Sequence, residues 1–374
     1  MDLTYLSPFF LKTLHLSGNF FLTENSFLEQ CRFSCGLSHL SELLDMAKND
    51  SFPFETVLLT DFDRHPYPKK IGFALIDRHN LSPEKEYETG GDSLSDFGSA
   101  DQAIETADIL IFTPIVSPAS QKKDFVTLLE KLFAYQNPMH FVSISQKDLA
   151  EDVIEYYSKS MLDLSQKSGC RMLDYDSVYS TRRVEKAKKT FLRMKQEAGI
   201  ETKFGSKTPT KSGKNPEIEV PESIFPDVLE ICCGNGMSTL ALYEDDIYPL
   251  SIDINTEDIC TGLSHTVLIP SKTIQMDAVR LSQCIAPESF GVVIGFMIGT
   301  IYEFNKNIWF SIAESALFVL KSGGFLFLTL RTEPEAVLIS DYLKTCGMDG
   351  KIMDNRDNET EYDQWIYIGQ KKSV

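Results

Sequence analysis

The amino-acid sequence predicts an α/β protein with two doubly wound domains. Strand-like apolar runs alternate with segments of helical periodicity in both halves of the chain, which is the pattern of α/β folds. Between the halves, residues 203–216 are rich in Lys, Thr, Ser, Gly and Pro and have no periodic apolar face. We therefore predict a first domain at 1–202, a linker at 203–216 and a second domain at 217–374.

The first half contains four strand-like runs separated by helical patterns. Strands are expected at about 12–17, 55–60, 108–113 and 139–145. Helices are expected at about 37–48, 101–106, 122–133, 147–168 and 184–197, the last of them closing the first domain. Strands joined through helices favour parallel pairing, so we expect a parallel sheet covered on both faces.

The most informative segment is residues 226–242, where a strand pattern breaks into a glycine turn and a helical pattern follows. Gly234 and Gly236 can adopt positive φ, and without a Cβ they allow a ligand to approach the backbone. A parallel strand that turns into a helix at glycines is a typical cradle for a nucleotide cofactor.

Two later strand-like runs each end in an acid, Asp253 and Asp277. Ligands of a doubly wound sheet lie across the carboxyl ends of neighbouring strands, so Asp253 is placed to accept hydrogen bonds from ribose hydroxyls. Plain structural explanations exist as well. The two acids could cap the helices that follow them, Glu230 could pair with a neighbouring amide, and Cys232 with Cys233 could be small core residues.

Residues 226–374 resemble the class I S-adenosylmethionine-dependent methyltransferases through five motifs in the family's order: VLEICCGNG, SIDIN, QMDA, FGVVIGFMIG and LKSGGFLFLTL. The resemblance implies a Rossmann-like sheet with an antiparallel last strand, and S-adenosyl-L-methionine as the cofactor. It implies that Glu230 and the following loop hold the methionine part, Asp253 the ribose, and Asp277 with Ala278 the adenine. The cofactor-binding residues implied in this way are Glu230, Cys232, Gly234, Asn235, Gly236, Asp253, Ile254, Asp277 and Ala278.

The loop departs from the family at Cys232, which stands where the family usually has its first loop glycine. We expect this exchange of one small residue for another to be tolerated. A dinucleotide-binding Rossmann domain fits less well, because its third glycine would fall at Thr239 and it lacks the acid that Glu230 supplies.

The charge of the chain is unevenly distributed. The net charge is −18, and residues 216–374 carry 24 acidic and 10 basic side chains, whereas residues 182–215 carry 3 and 11. An acidic domain repels phosphate backbones, and Gly295–Gly299 lacks the prolines and the acidic or amide residue of enzymes that methylate amino groups of bases. We therefore expect a small-molecule or protein acceptor and no nucleic acid. We interpret the basic stretch as a solvated amphipathic helix and linker rather than a nucleic-acid handle.

Methyl transfer from a sulfonium requires no catalytic residue, although an alcohol or ammonium acceptor would need a base. Tyr302 and Glu303, just past the fourth strand, are candidates for acceptor contacts, and His265 is a candidate base. Surface positions at a helix start, and a structural histidine, explain these residues equally well.

No apolar run is long enough for a membrane span, and the first residues, with Asp2 and Pro8, do not resemble a secretory signal. The eight cysteines are scattered and are expected to be reduced, which favours the cytoplasm. The pair Cys31 and Cys35, with His39 nearby, lacks further ligands, so we expect no metal.

Residues from about 10 to 200 resemble, more faintly, the flavodoxin-like NADPH-dependent FMN reductases, through strands at 57–62 and 107–114, helix 122–132 and the helix after Arg182. The resemblance implies a flavodoxin-like parallel sheet, possible FMN binding and a possible homodimer. The loop Ser17–Asn19 could cradle a phosphate or form a plain turn. Val116 stands where an aromatic residue usually meets the flavin.

Two functional hypotheses follow. In the first, the chain is a methyltransferase whose first domain serves acceptor recognition or dimerisation. In the second, it is a flavin-linked redox or electron-transfer protein with a regulatory S-adenosylmethionine-binding domain.

Overall fold

The computed structural model describes residues 20–23, 45–48, 52, 54–61, 69–77, 108–113, 119–136, 140–169, 174–200, 227–358 and 360–372. The chain divides into two compact units, Met1–Asp152 and Val153–Val374. Residues 153–200, which the sequence assigned to the first domain, therefore belong to the second unit. The expected linker at 203–216 and the expected strand at 12–17 lie outside the described residues.

The first unit contains a mixed sheet of five strands in the order β1-β4-β3-β2-β5. The strands are β1 Phe20–Thr23, β2 Glu55–Asp61, β3 Lys69–Asp77, β4 Asp108–Phe112 and β5 His140–Ser143. Helix α1, Ala119–Tyr135, precedes β5, and the first residues of α2, Gln146–Lys167, follow it. Strand β3 runs antiparallel to both of its neighbours, whereas β1 with β4 and β2 with β5 are parallel.

The prediction of a parallel sheet in the first half is therefore wrong, because β3 was not foreseen. Only residues 62–68 separate β2 from β3. A parallel crossover needs about a dozen residues or more, so these two strands pair as an antiparallel hairpin. The core beneath them includes Leu58, Phe73 and Phe112, and the last two rings stack with centroids 4.5 Å apart.

The second unit contains a seven-stranded sheet in the order β11-β12-β10-β9-β6-β7-β8. Its strands are β6 Val228–Ile231, β7 Leu250–Asp253, β8 Thr273–Gln275, β9 Phe290–Gly295, β10 Leu320–Leu330, β11 Gly350–Asp354 and β12 Trp365–Gln370. Strands β6 to β10 are parallel, and β12 runs antiparallel to β10 and β11. The doubly wound sheet with an antiparallel last strand, expected for this half, is confirmed.

Local sequence explains the central strands and the helix starts. Strand β6 is buried along its whole length, as expected for a strand covered on both faces. Asn255 caps α6, and Thr332 with Glu335 forms a capping box at the start of α9. The helices of this unit, besides the end of α2, are α3 Tyr175–Val178, α4 Thr181–Glu197, α5 Thr239–Tyr243, α6 Thr256–Ser264, α7 Leu281–Cys284, α8 Lys306–Val319 and α9 Glu333–Thr345.

Helix α4 does not close the first domain but packs on the sheet of the second unit. Ala187, Phe191 and Met194 are buried in one cluster with sheet residues that include Val228 and Val292. The end of α2 belongs to the same unit, since Met161 and Leu162 pack against a cluster formed by Cys233, Ile259, Leu263 and Leu268.

The basic side chains of α4 pair with acids of the second unit. Lys186 is 6% exposed and lies 2.6 Å from Asp357, and Lys195 lies 2.7 Å from Asp245. Arg183 is also 6% exposed and pairs with Asp363. The interpretation of the basic side chains of this helix as solvated is therefore wrong for its inner face, where their positive charge offsets the acidity of the unit.

We predict that Phe191→Ala destabilises the second unit by about 3 to 5 kcal/mol, because it leaves a cavity under α4. Leu192→Ala is the matched control, since Leu192 is 42% exposed and its loss should change stability by less than about 0.5 kcal/mol. Both tryptophans of the chain, Trp309 and Trp365, lie in this unit. Urea unfolding followed by tryptophan fluorescence therefore measures the effect, and equal effects of the two substitutions would contradict the packing of α4.

Candidate functional site

The candidate site lies where the strand order of the second sheet reverses. From β6 the chain continues to β7 and β8 on one side, whereas β9 and β10 lie on the other. In open α/β sheets, ligands bind outside the carboxyl ends of the strands at such a point. The loop after β6, Asp253 at the end of β7 and Asp277 after β8 all lie along this edge.

The loop after β6 holds its bend with left-handed residues. Gly236 has φ +82°, and a Cβ there would lie 2.6 Å from Leu268 Cδ2, so only glycine fits. Gly234 has φ +55°, and a Cβ there would meet no described atom within 4 Å, so this side of the loop is open. Cys232 also has positive φ, +56°, which costs a residue with a Cβ about 1 to 2 kcal/mol.

Asp253 ties the second strand to this loop. Its Oδ2 accepts a hydrogen bond from Gly234 N at 2.8 Å, and its Oδ1 accepts one from Asn255 N at 2.8 Å. The cap of α6 is Asn255 and not Asp253, because Asn255 Oδ1 accepts from Glu257 N at 3.0 Å. A structural role as that helix cap therefore does not account for Asp253.

Asp277 does cap the turn that follows it, since its Oδ1 accepts a hydrogen bond from Val279 N at 3.0 Å. The neighbours of the two acids differ in exposure. Ile254 is 62% exposed at the edge of the sheet, whereas Ala278 is 6% exposed.

Glu230 is a buried carboxylate with half of its hydrogen-bonding capacity unused. The residue is only 1% exposed. Its Oε2 accepts from Thr239 Oγ1 at 2.6 Å and from Ser251 Oγ at 2.9 Å. Its Oε1 is buried and has no hydrogen-bond partner among the described residues. Burial raises the pKa of Glu230 to about 7.

The three acids converge on the first residue of the loop. Burial, followed by the charges of Asp253, Asp277 and Glu230, raises the pKa of the Cys232 thiol to about 12. Burial likewise raises the pKa of Cys233 well above its ordinary value. Both thiols therefore stay protonated and are poor nucleophiles. The structure brings the predicted cofactor residues of three strands to one place.

The three candidates for chemistry each contact neighbouring side chains. Tyr302 is 54% exposed and its ring stacks on Phe304, while Glu303 pairs with Lys306. His265 directly follows α6 and packs edge-on against Tyr175 and Tyr179, with ring centroids 5.7 and 6.0 Å away.

Residues that precede β6 in the sequence complete the site, and sequence reasoning did not find them. Tyr179 donates its hydroxyl hydrogen to the carbonyl of Asn235 at 2.8 Å, and burial raises the pKa of Tyr179, so it stays a donor. Arg183 Nη2 donates to Ser238 Oγ at 2.9 Å. The segment from α3 to the start of α4 therefore holds the loop from outside.

Arg183 is also the centre of a buried polar network. It pairs with Asp363, which is fully buried and accepts a hydrogen bond from Thr329. Thr329 Oγ1 in turn accepts from Met297 N at 2.6 Å. The network connects the loop after β6, the segment after β9, strand β10 and the turn before β12.

Beside this network lies a cavity of about 360 Å³. Its lining comes from the start of α4, the ends of β9 and β10, and the turn before β12. The lining residues are Ser180, Arg182, Arg183, Met297, Arg331, Thr360, Glu361 and Tyr362.

The part of the chain that the structure describes contains no group of three or more His, Cys, Asp or Glu side chains arranged to hold a metal ion. The pair Cys31 and Cys35, together with His39, lies outside the described residues. None of the described helices is long and apolar enough to cross a membrane.

Comparison with known proteins finds similarity in solved structures only. No protein-family model matches the chain, and no curated protein sequence matches it. A SAM-dependent methyltransferase from Archaeoglobus fulgidus is 14% identical, over 38% of this chain and 85% of that one, with a TM-score of 0.29. One from Methanosarcina mazei is 16% identical, over 39% and 92%, with a TM-score of 0.30.

A third similar structure is the 1,6-didemethyltoxoflavin-N1-methyltransferase of Burkholderia thailandensis with bound S-adenosylhomocysteine. It is 11% identical, over 39% of this chain and 71% of that one, with a TM-score of 0.32. The sheet of the second unit, parallel with an antiparallel last strand, is the Rossmann-like arrangement that the resemblance to class I methyltransferases implied.

We predict that the stability of the protein falls as the pH rises from about 4.5 to 7, because the unfolded chain ionises Glu230 more readily than the folded chain does. The loss is complete above pH 7 and amounts to about 3 kcal/mol. Glu230→Gln should therefore match the wild type near pH 4.5 and exceed its unfolding free energy at pH 8. Glu257→Gln, at an exposed position, is the control. If the unfolding free energies of wild type and Glu230→Gln change in parallel with pH, burial does not raise the pKa of Glu230.

We also predict that Arg183→Met lowers the unfolding free energy by about 3 to 5 kcal/mol, because it leaves Asp363 charged and unpaired in the interior. Arg182→Met is the matched neighbour, since its side chain is exposed and should change stability by less than about 0.5 kcal/mol. Urea unfolding measures both free energies. An Arg183→Met variant as stable as Arg182→Met would contradict a stabilising role of the network around Arg183.

Proposed function

We propose that the second unit binds S-adenosyl-L-methionine at the carboxyl ends of β6, β7 and β8 and transfers its methyl group to an acceptor in the neighbouring cavity. The observation that carries the proposal is the convergence of Glu230, Asp253 and Asp277 on a loop whose outer side is open at Gly234. A cofactor with a sulfonium and an ammonium group matches this negative charge.

The residues present can be assigned to the three parts of the cofactor, which are its methionine part, its ribose and its adenine. The unpartnered Oε1 of Glu230 is a buried acceptor that lacks a donor, and an ammonium group supplies one. We assign the methionine part to Glu230 with Cys232, Gly234, Asn235 and Gly236. As the resemblance to class I methyltransferases implies, Asp253 with Ile254 is assigned to the ribose, and Asp277 with Ala278 to the adenine.

S-adenosyl-L-methionine supplies a methyl group that its sulfonium sulfur has already activated. The protein therefore has to hold the acceptor in line with the methyl carbon and exclude water. Held by the residues assigned above, the cofactor would supply its methyl group to the lone pair of the acceptor. The acceptor would release a proton, and S-adenosylhomocysteine would be the second product. Tyr302, Glu303 and His265 do not line the cavity, and their roles stay predictions.

The flavin-linked alternative has no comparable observation in its favour. The loop Ser17–Asn19 and Val116 lie outside the described residues, and the first sheet is mixed rather than parallel. A role of residues 1–152 in acceptor recognition or dimerisation stays a prediction. The same holds for a cytoplasmic location and for a small-molecule or protein acceptor rather than a nucleic acid.

We expect the purified full-length chain to bind S-adenosylhomocysteine in calorimetry, and Asp253→Asn to weaken that binding about 10- to 100-fold, through loss of charged hydrogen bonds to the ribose. Glu257→Gln removes one carboxylate from the same stretch and should leave binding unchanged. Affinity should fall about tenfold per pH unit below pH 7, where Glu230 becomes protonated. Absence of binding by the wild type, or equal binding by Asp253→Asn, would refute the proposal.

A further inference from the structure

The cavity beside the cofactor edge has a distinct charge. It is lined by three arginines, two of which come from the basic stretch 182–215, and by one carboxylate, Glu361. Guanidinium groups gathered in a cavity favour the binding of an anion where their charge is not offset by carboxylates.

The three arginines are not equivalent. Arg183 is neutralised by Asp363, and its guanidinium lies 4.5 Å from the ring centre of Tyr362. These two contacts fix its side chain in the lining of the cavity. Arg331 lies 3.4 Å from Glu361, and both side chains are largely exposed, at 52% and 87%. An exposed pair of this kind contributes little and is readily exchanged for a better partner. Arg182 makes no ion pair with any described residue.

Arg182 and Arg331 come from different elements and meet at one cavity. Arg182 is on the first turn of α4, and Arg331 follows β10 directly. Guanidinium groups bind carboxylate and phosphate oxygens through paired hydrogen bonds, and the hydroxyl of Ser180 adds a donor to the same lining.

The position of the cavity separates it from the residues assigned to adenosine. Those residues follow β7 and β8, whereas the cavity lies at the ends of β9 and β10, on the other side of β6. Since neighbouring strands are about 4.8 Å apart, an anion at Arg331 is far from the ribose and adenine positions. The transferable methyl group would lie between the two regions.

We infer that this cavity binds the methyl acceptor through an anionic group, a carboxylate or a phosphate, held by Arg182 and Arg331. The assignment of the bound anion to the methyl acceptor rests on the proposed function, whereas the anion site itself rests on the cavity alone. The cofactor's own carboxylate has the same chemistry and is the other source of an anion. The experiment must therefore separate the two.

The test uses the full-length chain at constant ionic strength, with inorganic phosphate, S-adenosylhomocysteine and 5′-methylthioadenosine as probes in calorimetry. The variants are Arg182→Met, Arg331→Met and the double variant, and Arg356→Met is the control at an exposed site outside the cavity. We expect phosphate to bind the wild type and the control equally, and the double variant at least about tenfold more weakly. Binding of S-adenosylhomocysteine should change less than about twofold in every variant.

Two results would overturn the inference. One is phosphate binding that is absent in the wild type or unchanged in the double variant. The other is a loss of S-adenosylhomocysteine binding in Arg182→Met or Arg331→Met with unchanged binding of 5′-methylthioadenosine, which lacks the aminocarboxylate. That pattern would assign the arginines to the cofactor. A wild type that binds phosphate through these arginines but no S-adenosylhomocysteine supports the anion site and refutes the proposed function instead.

Discussion

Three acids, Glu230, Asp253 and Asp277, lie near the carboxyl ends of three neighbouring strands, and the second unit must stabilise their negative charge. Glu230 is buried, and the charge of Asp253 adds to burial in raising its pKa, while Arg183 acts in the opposite direction. Like charges in a protein interior repel strongly because little water screens them. Fixed hydrogen bonds offset part of this repulsion, because Thr239 and Ser251 donate to Glu230. The backbone N–H of Gly234 likewise donates to Asp253. Arg183 contributes less, since it is paired with Asp363.

Helix α4 combines hydrophobic packing with charge pairing in the second unit. The helix carries Arg183 to the loop and, on the same face, inserts Ala187, Phe191 and Met194 into the core. Its basic residues Lys186 and Lys195 then pair with acids of the same unit. Hydrophobic burial and charge neutralisation act together, so one helix meets both the packing need and the electrostatic need of the sheet that it covers.

Local patterns in the sequence were sufficient for the strands of the second unit, the glycine loop, and the acids at the end of β7 and after β8, because each depends on residues close together in the chain. The partners of the site were not predictable in this way, since Arg183 and Asp363 are 180 residues apart. A signal for Arg183 did exist: it shares the helical spacing of Ala187, Phe191 and Met194, which places it on the buried face. Its charge led instead to a solvated interpretation. Strand β3 was missed although its short connection to β2 permits only antiparallel pairing.

Cys232 shows how far the surrounding structure determines the loop. The bend is fixed from outside, because Cys233 N donates to Ile252 O at 3.1 Å and Gly236 N donates to Cys233 O at 3.0 Å. Position 232 must therefore accept positive φ, and the strain of a Cβ there is balanced by contacts made elsewhere. A side chain at this point must also be small and must not add a fourth charge to the three carboxylates. A thiol whose pKa is raised to about 12 satisfies both conditions, which explains why cysteine can stand in the place of glycine.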